Sequence, residues 1–492
     1  MSVRVAALWS IGTQYAAFVI QFVVSVVLAR YFLSPAETGL FSIALAASMM
    51  ISIFQDFGIT RYVAGQAKMD RNTARACTSV SVAVAWIIAL VVCVAAYPVA
   101  AFYAQPDLAP MLLIIGASYL LSPFATVPVA LLIRDLDFKA QFIISLGSTI
   151  LWAGVALALA SAGYGAFSLA WAVVVQALAR AVLAQRFRPI SPRWHVSREE
   201  ARPILGFGSS SLVLAISGSI GMRSQDLIVG RLISVVAVGL YSRATALAGQ
   251  LSMLVTGAIN GVFFPAFARL RDQGAELGRP YVRVVGGITA IQWAAMAGLS
   301  VAAEPLILLL YGEKWIEAAP LLKWTALAEM CFVAVPMHMD MPILLGRINT
   351  LIRYNLFDTF VAVSLLSIGS LWGVEWAAIG RLGYGIVWVL IYLRFQQSLV
   401  RFEWRDILGV YARSAICALA AVTPMLIAYQ VWREPMALGF DGLLLCTALG
   451  VLSWAAILYL VRHPARVEIT GLIASLAQQI GLIRTPRGEA PL

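Results

Sequence analysis

Apolar residues run along this chain in long blocks separated by short polar breaks. About 14 blocks reach the roughly 20 residues that a bilayer-spanning helix needs. They fall near 6–32, 38–62, 76–103, 108–133, 140–161, 164–186, 205–232, 236–266, 282–311, 318–345, 352–372, 377–399, 407–431 and 438–461. The breaks alternate in character. One set is basic, as in RYVAGQAKMDRNTAR, RDLDFK, ARLRDQGAELGRPYVR and RFEWRD. The other carries almost no Lys or Arg, as in FLSPAET, AQPD, ASAGYG and ISVVAV. Basic residues collect in loops that stay in the cytoplasm, so the alternation predicts an all-α membrane protein with both termini cytoplasmic.

Composition agrees. Hydrophobic residues make up 61% of the 492 and charged residues 12%. Soluble domains are nearer 45–50% and 25%, so this chain has more apolar surface than soluble cores can hide. The formal charge of +11 is accounted for by the basic loops, and nucleic acid is not an expected partner. Five cysteines are scattered with no paired spacing, which argues against a disulfide framework or a metal site. The first block, preceded by Arg4, is too long for a signal-peptide core and is read as the first spanning helix.

The chain also repeats itself. LARYFLSPAETGLFS (28–42) aligns with VGRLISVVAVGLYS (229–242), matching Arg30 with Arg231, Gly39 with Gly239 and Ser42 with Ser242. LLIRDLDF (131–138) aligns with LLGRINTL (344–351), matching Arg134 with Arg347; upstream, Pro123 and Pro128 answer Pro336 and Pro342. Helices 1–6 thus correspond to helices 7–12, and an even number per unit gives both halves one orientation. Parallel repeats of this kind mark transporters, with the substrate path at the repeat interface. The expected organisation is a six-helix lobe at 1–188, a cytoplasmic linker at 189–203, a second six-helix lobe at 204–400, a helix pair at 401–464 and a cytoplasmic tail at 465–492, whose apolar spacing suits an amphipathic helix on the membrane surface, with a weakly ordered tail as the alternative. Proline inside a helix removes a backbone bond and bends it, so Pro123, Pro128, Pro336 and Pro342 are candidate hinges; simple tolerance near a helix end is the alternative.

Several charges fall inside apolar blocks. GMRSQDLIVGR (221–231) sets Arg223 and Asp226 three residues apart, on one helix face. A charge at a helix centre costs about 2.5–3.5 kcal/mol on insertion scales, and such residues usually face a cavity or a partner helix. An ion pair that merely orients helix 7 is the competing reading. Asp56, Arg61 and Arg243 join the cavity candidates, while Glu304, Lys323, His338, Arg353, Asp358 and Arg381 are further in-membrane polar residues, several close enough to helix ends to snorkel. Basic groups in a cavity suit an anionic substrate, and the planar fork of Arg suits phosphate. Acids there suit proton or Na⁺ coupling, with Asp226, Asp56, Glu329 and Asp340 as candidates. No other cofactor is expected. DLD (135–137) resembles a nucleotide-sugar motif, but no loop can hold the soluble domain an enzyme of that kind needs, so an enzyme is not expected.

Taken together, DFG (56–58), LLIRDLDF, RSQDLIVGR followed by GLYSRA (223–244), FFPAFARLR (263–271) and YGEKWIEAAPLL (311–322) resemble the Wzx-type polysaccharide and O-antigen flippases of the multidrug/oligosaccharidyl-lipid/polysaccharide exporter superfamily, nearly end to end. The resemblance implies two six-helix lobes plus a final helix pair around a central cavity. It implies an undecaprenyl-diphosphate-linked oligosaccharide as cargo, moved outward across the bacterial inner membrane by a monomer that works beside a polymerase and glycosyltransferases. Asp56, Arg223 and Asp226 fall on matching positions; Arg61 stands where the family more commonly carries a polar or aliphatic residue. A multidrug/cation antiporter of the same superfamily and a peptidoglycan-precursor flippase are the alternatives. The first usually stops at about 12 helices, and the motifs fit the second less well.

Overall fold

A computed structural model describes residues 3–52, 59–65, 69–193, 224–432 and 439–466. Among these residues all regular structure is helical: α1 Val3–Val27, extended by a π turn at Leu28–Phe32, α2 Pro35–Ser52, α3 Ile59–Gly65, α4 Arg71–Tyr103, α5 Leu108–Leu121, α6 Pro123–Arg134, α7 Phe138–Ser161 and α8 Phe167–Phe187. After the undescribed stretch come α9 at 224–232, α10 Val235–Asp272, α11 Gly278–Val301, α12 Ala303–Tyr311, α13 Ala318–Ala334, α14 Asp340–Leu344, α15 Ile348–Ser370, α16 Val374–Val400, α17 Trp404–Trp432 and α18 Phe440–Leu460. Ten described helices are long and apolar enough to cross a membrane, and the pair α5 and α6 makes an eleventh span bent by 46°. The chain is a multi-pass membrane protein. The span expected at 205–232 lies mostly outside the described residues, as do Asp56, Arg223 and the tail from 467 onward.

Local sequence sets the helix ends. Ser34 and Glu37 form a capping box: the Ser34 N–H donates to Glu37 Oε2 at 2.8 Å, and the Glu37 N–H donates to Ser34 Oγ at 3.3 Å. Pro35 occupies the first turn, where its missing N–H costs nothing. Asp70 caps α4 by accepting from the Thr73 N–H at 3.0 Å. Asp137 caps α7 in the same way through Ala140, at 3.1 Å.

The prolines sit where the fourth and tenth spans break. Pro123 begins α6 at the 46° bend, and Pro128 lies inside α6. Pro336 lies in the turn between α13 and α14, and Pro342 lies inside α14. The turns that follow correct the register of the repeat. Leu136 (φ 56°) and Gly346 (φ 69°) are the left-handed residues ending α6 and α14. Asp137 therefore corresponds to Arg347, each being the residue just before the next helix, and Arg134 corresponds to Leu344 instead of Arg347. Backbone handedness fixes the turn, whatever side chains surround it.

Two compact units group the chain: Met1–Ala244 with Leu310–Leu321 and Ile352–Gly380, and Thr245–Leu309 with Leu322–Leu351 and Arg381–Leu492. In the first, Val24 and Leu28 of α1 pack on Ala153, Ala156 and Ala160 of α7 and on Leu169 and Ala172 of α8. Small residues let helices approach closely in lipid, where packing and not exclusion of water drives association. The opposite face is large and apolar: on α4, Leu90, Val94 and Tyr97 are 64%, 68% and 68% exposed, while Ile88, Val92 and Ala96 are buried. In the second unit, α17 and α18 pack through Met425, Ala428, Leu443 and Cys446, and a Cβ on Gly450 would collide with the Ala421 carbonyl.

Candidate functional site

The site in the first unit begins with the π turn. In an α-helix the Leu33 N–H would donate to the Ala29 carbonyl. Here it donates to Leu28 O instead, at 2.7 Å, so Ala29 O is left without its helical partner. The indole N–H of Trp315 takes that place at 2.9 Å, and Lys314 Nζ donates to Leu33 O at 2.8 Å. The segment YGEKW (311–315) is thereby pinned to the end of α1. Trp315 is fully buried and Tyr311 is 2% exposed. Burial lowers the pKa of the Lys314 ammonium, and Glu37 partly opposes this.

Tyr311 and Trp315 form a platform for Arg243. The guanidinium carbon lies 5.9 Å from the Tyr311 ring centroid and 5.7 Å from that of Trp315. Its Nη1 donates to Ser25 Oγ of α1, and its Nε is buried with no partner. Among the described residues no carboxylate pairs with it. Arg243 stands eight residues into α10, about 12 Å along the axis at 1.5 Å per residue, which is membrane depth. Two aromatic faces offset part of the cost of an unpaired cation there, at about 0.5–2 kcal/mol each. A phosphate or carboxylate oxygen would complete the set of donors and cancel the charge.

Asp226 is half-buried in α9. That helix is tied to the end of α4: the Tyr103 hydroxyl donates to Leu227 O at 3.0 Å, and the Arg231 guanidinium lies 4.9 Å from the Phe102 ring centroid. No hydrogen bond or ion pair joins Asp226 to Arg243. Arg61 lies on α3.

The second unit holds the other candidate acids. Glu329 of α13 accepts from Arg381 of α16 at 2.8 Å, with side chains only 13% and 15% exposed, and Arg381 also lies 5.2 Å from the Phe332 ring centroid. Asp340 is half-buried in the first turn of α14. His338 is packed edge-on against Trp388 and Tyr392, at 4.9 and 5.3 Å between centroids. The same unit contains an apolar cavity of about 430 Å³ between α11, α17 and α18, lined by Ile291, Gly298, Met425, Cys446, Gly450 and Trp454 among others. Its walls carry almost nothing that can hydrogen-bond, so it suits a hydrocarbon chain.

Sequence reasoning finds Arg243 and misses Ser25, Tyr311 and Trp315. The signal is YGEKW, which contributes to the family resemblance without revealing that its aromatics lie beneath an arginine.

Comparison with known proteins agrees with this architecture. Residues 27–320 match the profile of a family described as polysaccharide biosynthesis protein. The chain is 27% identical over 321 residues to the succinoglycan biosynthesis transport protein ExoT of Rhizobium meliloti (strain 1021), spanning 65% of each chain, just under two thirds of that relative's length. It is 24% identical over 368 residues to the lipopolysaccharide biosynthesis protein WzxC of Escherichia coli (strain K12), spanning 72% of each. Among solved structures, the lipid II flippase MurJ in its inward closed conformation superposes with a TM-score of 0.74 at 13% identity, over 92% of this chain and 98% of the other. An inward-facing MATE multidrug resistance transporter of the MOP superfamily gives 0.51 at 17% identity, over 81% and 96%. The two structures share the fold expected from the repeat. With the family profile covering well over half of its length, this chain belongs to the polysaccharide biosynthesis protein family.

Proposed function

We propose that this protein moves an undecaprenyl-diphosphate-linked oligosaccharide repeat unit from the inner to the outer leaflet of the bacterial inner membrane, for exopolysaccharide, capsule or O-antigen assembly. The observation that carries the reading is Arg243: a guanidinium at membrane depth, held on two aromatic rings, with one donor unused and, among the described residues, no carboxylate paired with it. Such a group is stabilised by an anion, and the diphosphate of the cargo or an acidic sugar supplies one. Arg223, Asp56, Arg61 and Asp226 are proposed to share in cargo binding. The apolar cavity of the second unit suits the polyprenyl chain. The relatives' names, one a succinoglycan transport protein and one a lipopolysaccharide biosynthesis protein, support a polysaccharide precursor as cargo.

Transport on this reading is alternating access. Lobes at 1–188 and 204–400 rock about the breaks at Pro123, Pro128, Pro336 and Pro342, with a proton or Na⁺ taken up by Asp226, Asp56, Glu329 or Asp340. The protein acts as a monomeric carrier and not as an enzyme, with both termini in the cytoplasm, and hands its product to the polymerase of the pathway. Complementation of a flippase-null strain tests the reading. Wild type is expected to restore outward exposure of lipid-linked oligosaccharide to an impermeant glycan reagent, and Arg243→Ala at equal expression is expected to leave the cargo inside. Full rescue by Arg243→Ala would remove the residue from the transport path.

A further inference from the structure

The second unit carries a separate polar groove of about 370 Å³, lined by Val282 of α11, by Arg405, Asp406, Gly409, Val410 and Arg413 of α17, and by Pro464 just beyond α18. On α17, positions 406, 409, 410 and 413 follow the i, i+3, i+4, i+7 spacing of one helix face. The three charges are exposed, and none forms an ion pair with any described residue. Gly409 lies between them, and a Cβ there would meet open space.

The depth of the groove is set by the helix. α17 has 29 residues, about 43 Å at 1.5 Å per residue, close to the full thickness of a bilayer with its headgroups. Arg405 and Asp406 are therefore at headgroup level. Arg413, about 11–12 Å further along the axis, starts inside the hydrocarbon edge, and its side chain is long enough to snorkel back toward Gly409. A cation below, a carboxylate above and an unfilled space between them match the two charges of one headgroup. We propose that this groove binds a phospholipid bearing a primary amine, of the phosphatidylethanolamine class, from the leaflet facing the start of α17. Its phosphate lies between Arg413 and Arg405 beside Gly409, its ammonium donates to Asp406, and its acyl chains run down along Val410 and Val282. A purely anionic headgroup fits less well, because Asp406 repels a second negative group.

The test is native mass spectrometry of the purified full-length protein with added phosphatidylethanolamine, phosphatidylglycerol or phosphatidylcholine. Glycerophosphoethanolamine is added as a soluble competitor, to separate a lipid site from one that takes the free headgroup. Wild type is expected to retain phosphatidylethanolamine about tenfold better than phosphatidylcholine, the worth of one charge-assisted hydrogen bond. Asp406→Asn is expected to abolish that preference while still retaining phospholipid. Arg413→Gln is expected to weaken all three lipids. Gly409→Leu fills the groove without displacing backbone, and is expected to lose the lipid at an unchanged melting temperature; Gly409→Ala gives a milder version of the same effect. Parity between the three lipids in wild type, stronger retention of phosphatidylglycerol, or full retention by Gly409→Leu would each overturn the proposal, as would displacement by glycerophosphoethanolamine alone at equal concentration.

Discussion

Ser42 donates its hydroxyl proton to Ser242 across 3.2 Å, and these serines hold equivalent places in the two sequence repeats. Their neighbours are reciprocal as well. A Cβ on Gly39 would collide with the Val235 carbonyl, and a Cβ on Gly239 would collide with the Pro35 carbonyl. Residue 35 relates to 235 as 39 does to 239, so each contact has its mirror in the other. A local pseudo-twofold axis passes between the two helix starts, α2 and α10, and the glycines let the backbones meet there. Gly39→Ala and Gly239→Ala are expected to destabilise by about 1–3 kcal/mol each, as overpacking does. The double variant is expected to fall short of the sum, because both act on one interface. Ser42→Ala, which removes one hydrogen bond, is expected to cost about 1 kcal/mol or less. Thermal unfolding in detergent measures all four.

The platform under Arg243 separates charge from geometry. Arg243→Lys keeps the charge and loses both the planar fork and the stacking on Tyr311 and Trp315. On the proposed function, cargo transport by that variant is expected to fall on the order of tenfold to a hundredfold, the worth of a lost charge-assisted bond. Trp315→Phe keeps an aromatic face and removes the donor to Ala29 O. Since the π turn gives that carbonyl no backbone partner, stability is expected to drop by about 1–3 kcal/mol while transport by the surviving protein stays near wild type. A variant set in which Lys matches Arg would show that position 243 supplies only charge.

How much of this is legible in the sequence depends on what each feature is made of. The spans are readable because each depends on local hydropathy alone. Arg243 is readable because a cation in an apolar block is conspicuous wherever it points. Its platform is not, because Tyr311 and Trp315 reach it from about 70 residues away, through a π turn with no signature in side-chain periodicity. The pairing of Arg134 with Arg347 misleads for a related reason. Matching side chains is a sequence criterion, whereas the turns there are set by left-handed residues, Leu136 and Gly346. Glu329 is readable as an in-membrane acid, but its partner Arg381 lies 52 positions on.

That partner changes what a Glu329 variant reports. Removing one member of a buried ion pair leaves the other charge unpaired, which costs about 3–5 kcal/mol. Glu329→Gln and Arg381→Gln are each expected to lower the melting temperature, and the double variant, with no net buried charge, is expected to recover much of the loss. Transport by the stable double variant then decides the role of the acid. Retained activity assigns the pair to packing, and activity lost with a shifted pH profile assigns Glu329 to coupling.

At the end of α18, His463 ties the chain back to the helices it leaves. It is fully buried. Its Nδ1 accepts from the Ala465 N–H at 3.1 Å, so in the neutral ring the proton sits on Nε2. Nε2 then donates to Ser414 Oγ at 3.1 Å, Ser414 donates to Thr289 Oγ1 at 2.9 Å, and Thr289 donates to Val285 O at 2.7 Å. The row of bonds joins α18, α17 and α11 in one direction. A second proton on the ring would face the Ala465 N–H. Burial, aided by the charge of Arg413, brings the His463 pKa down from 6.5 to about 4. The folded value lies below the unfolded one, so the stabilisation is complete above about pH 6.5 and is lost as pH falls toward 4. Hydrogen exchange of the α18 C-terminal turn is expected to speed up over that window in the wild type. His463→Gln, which retains an amide donor toward Ser414 and has no titrating ring, is expected to flatten this acid dependence. An unchanged slope in His463→Gln would assign it to other groups.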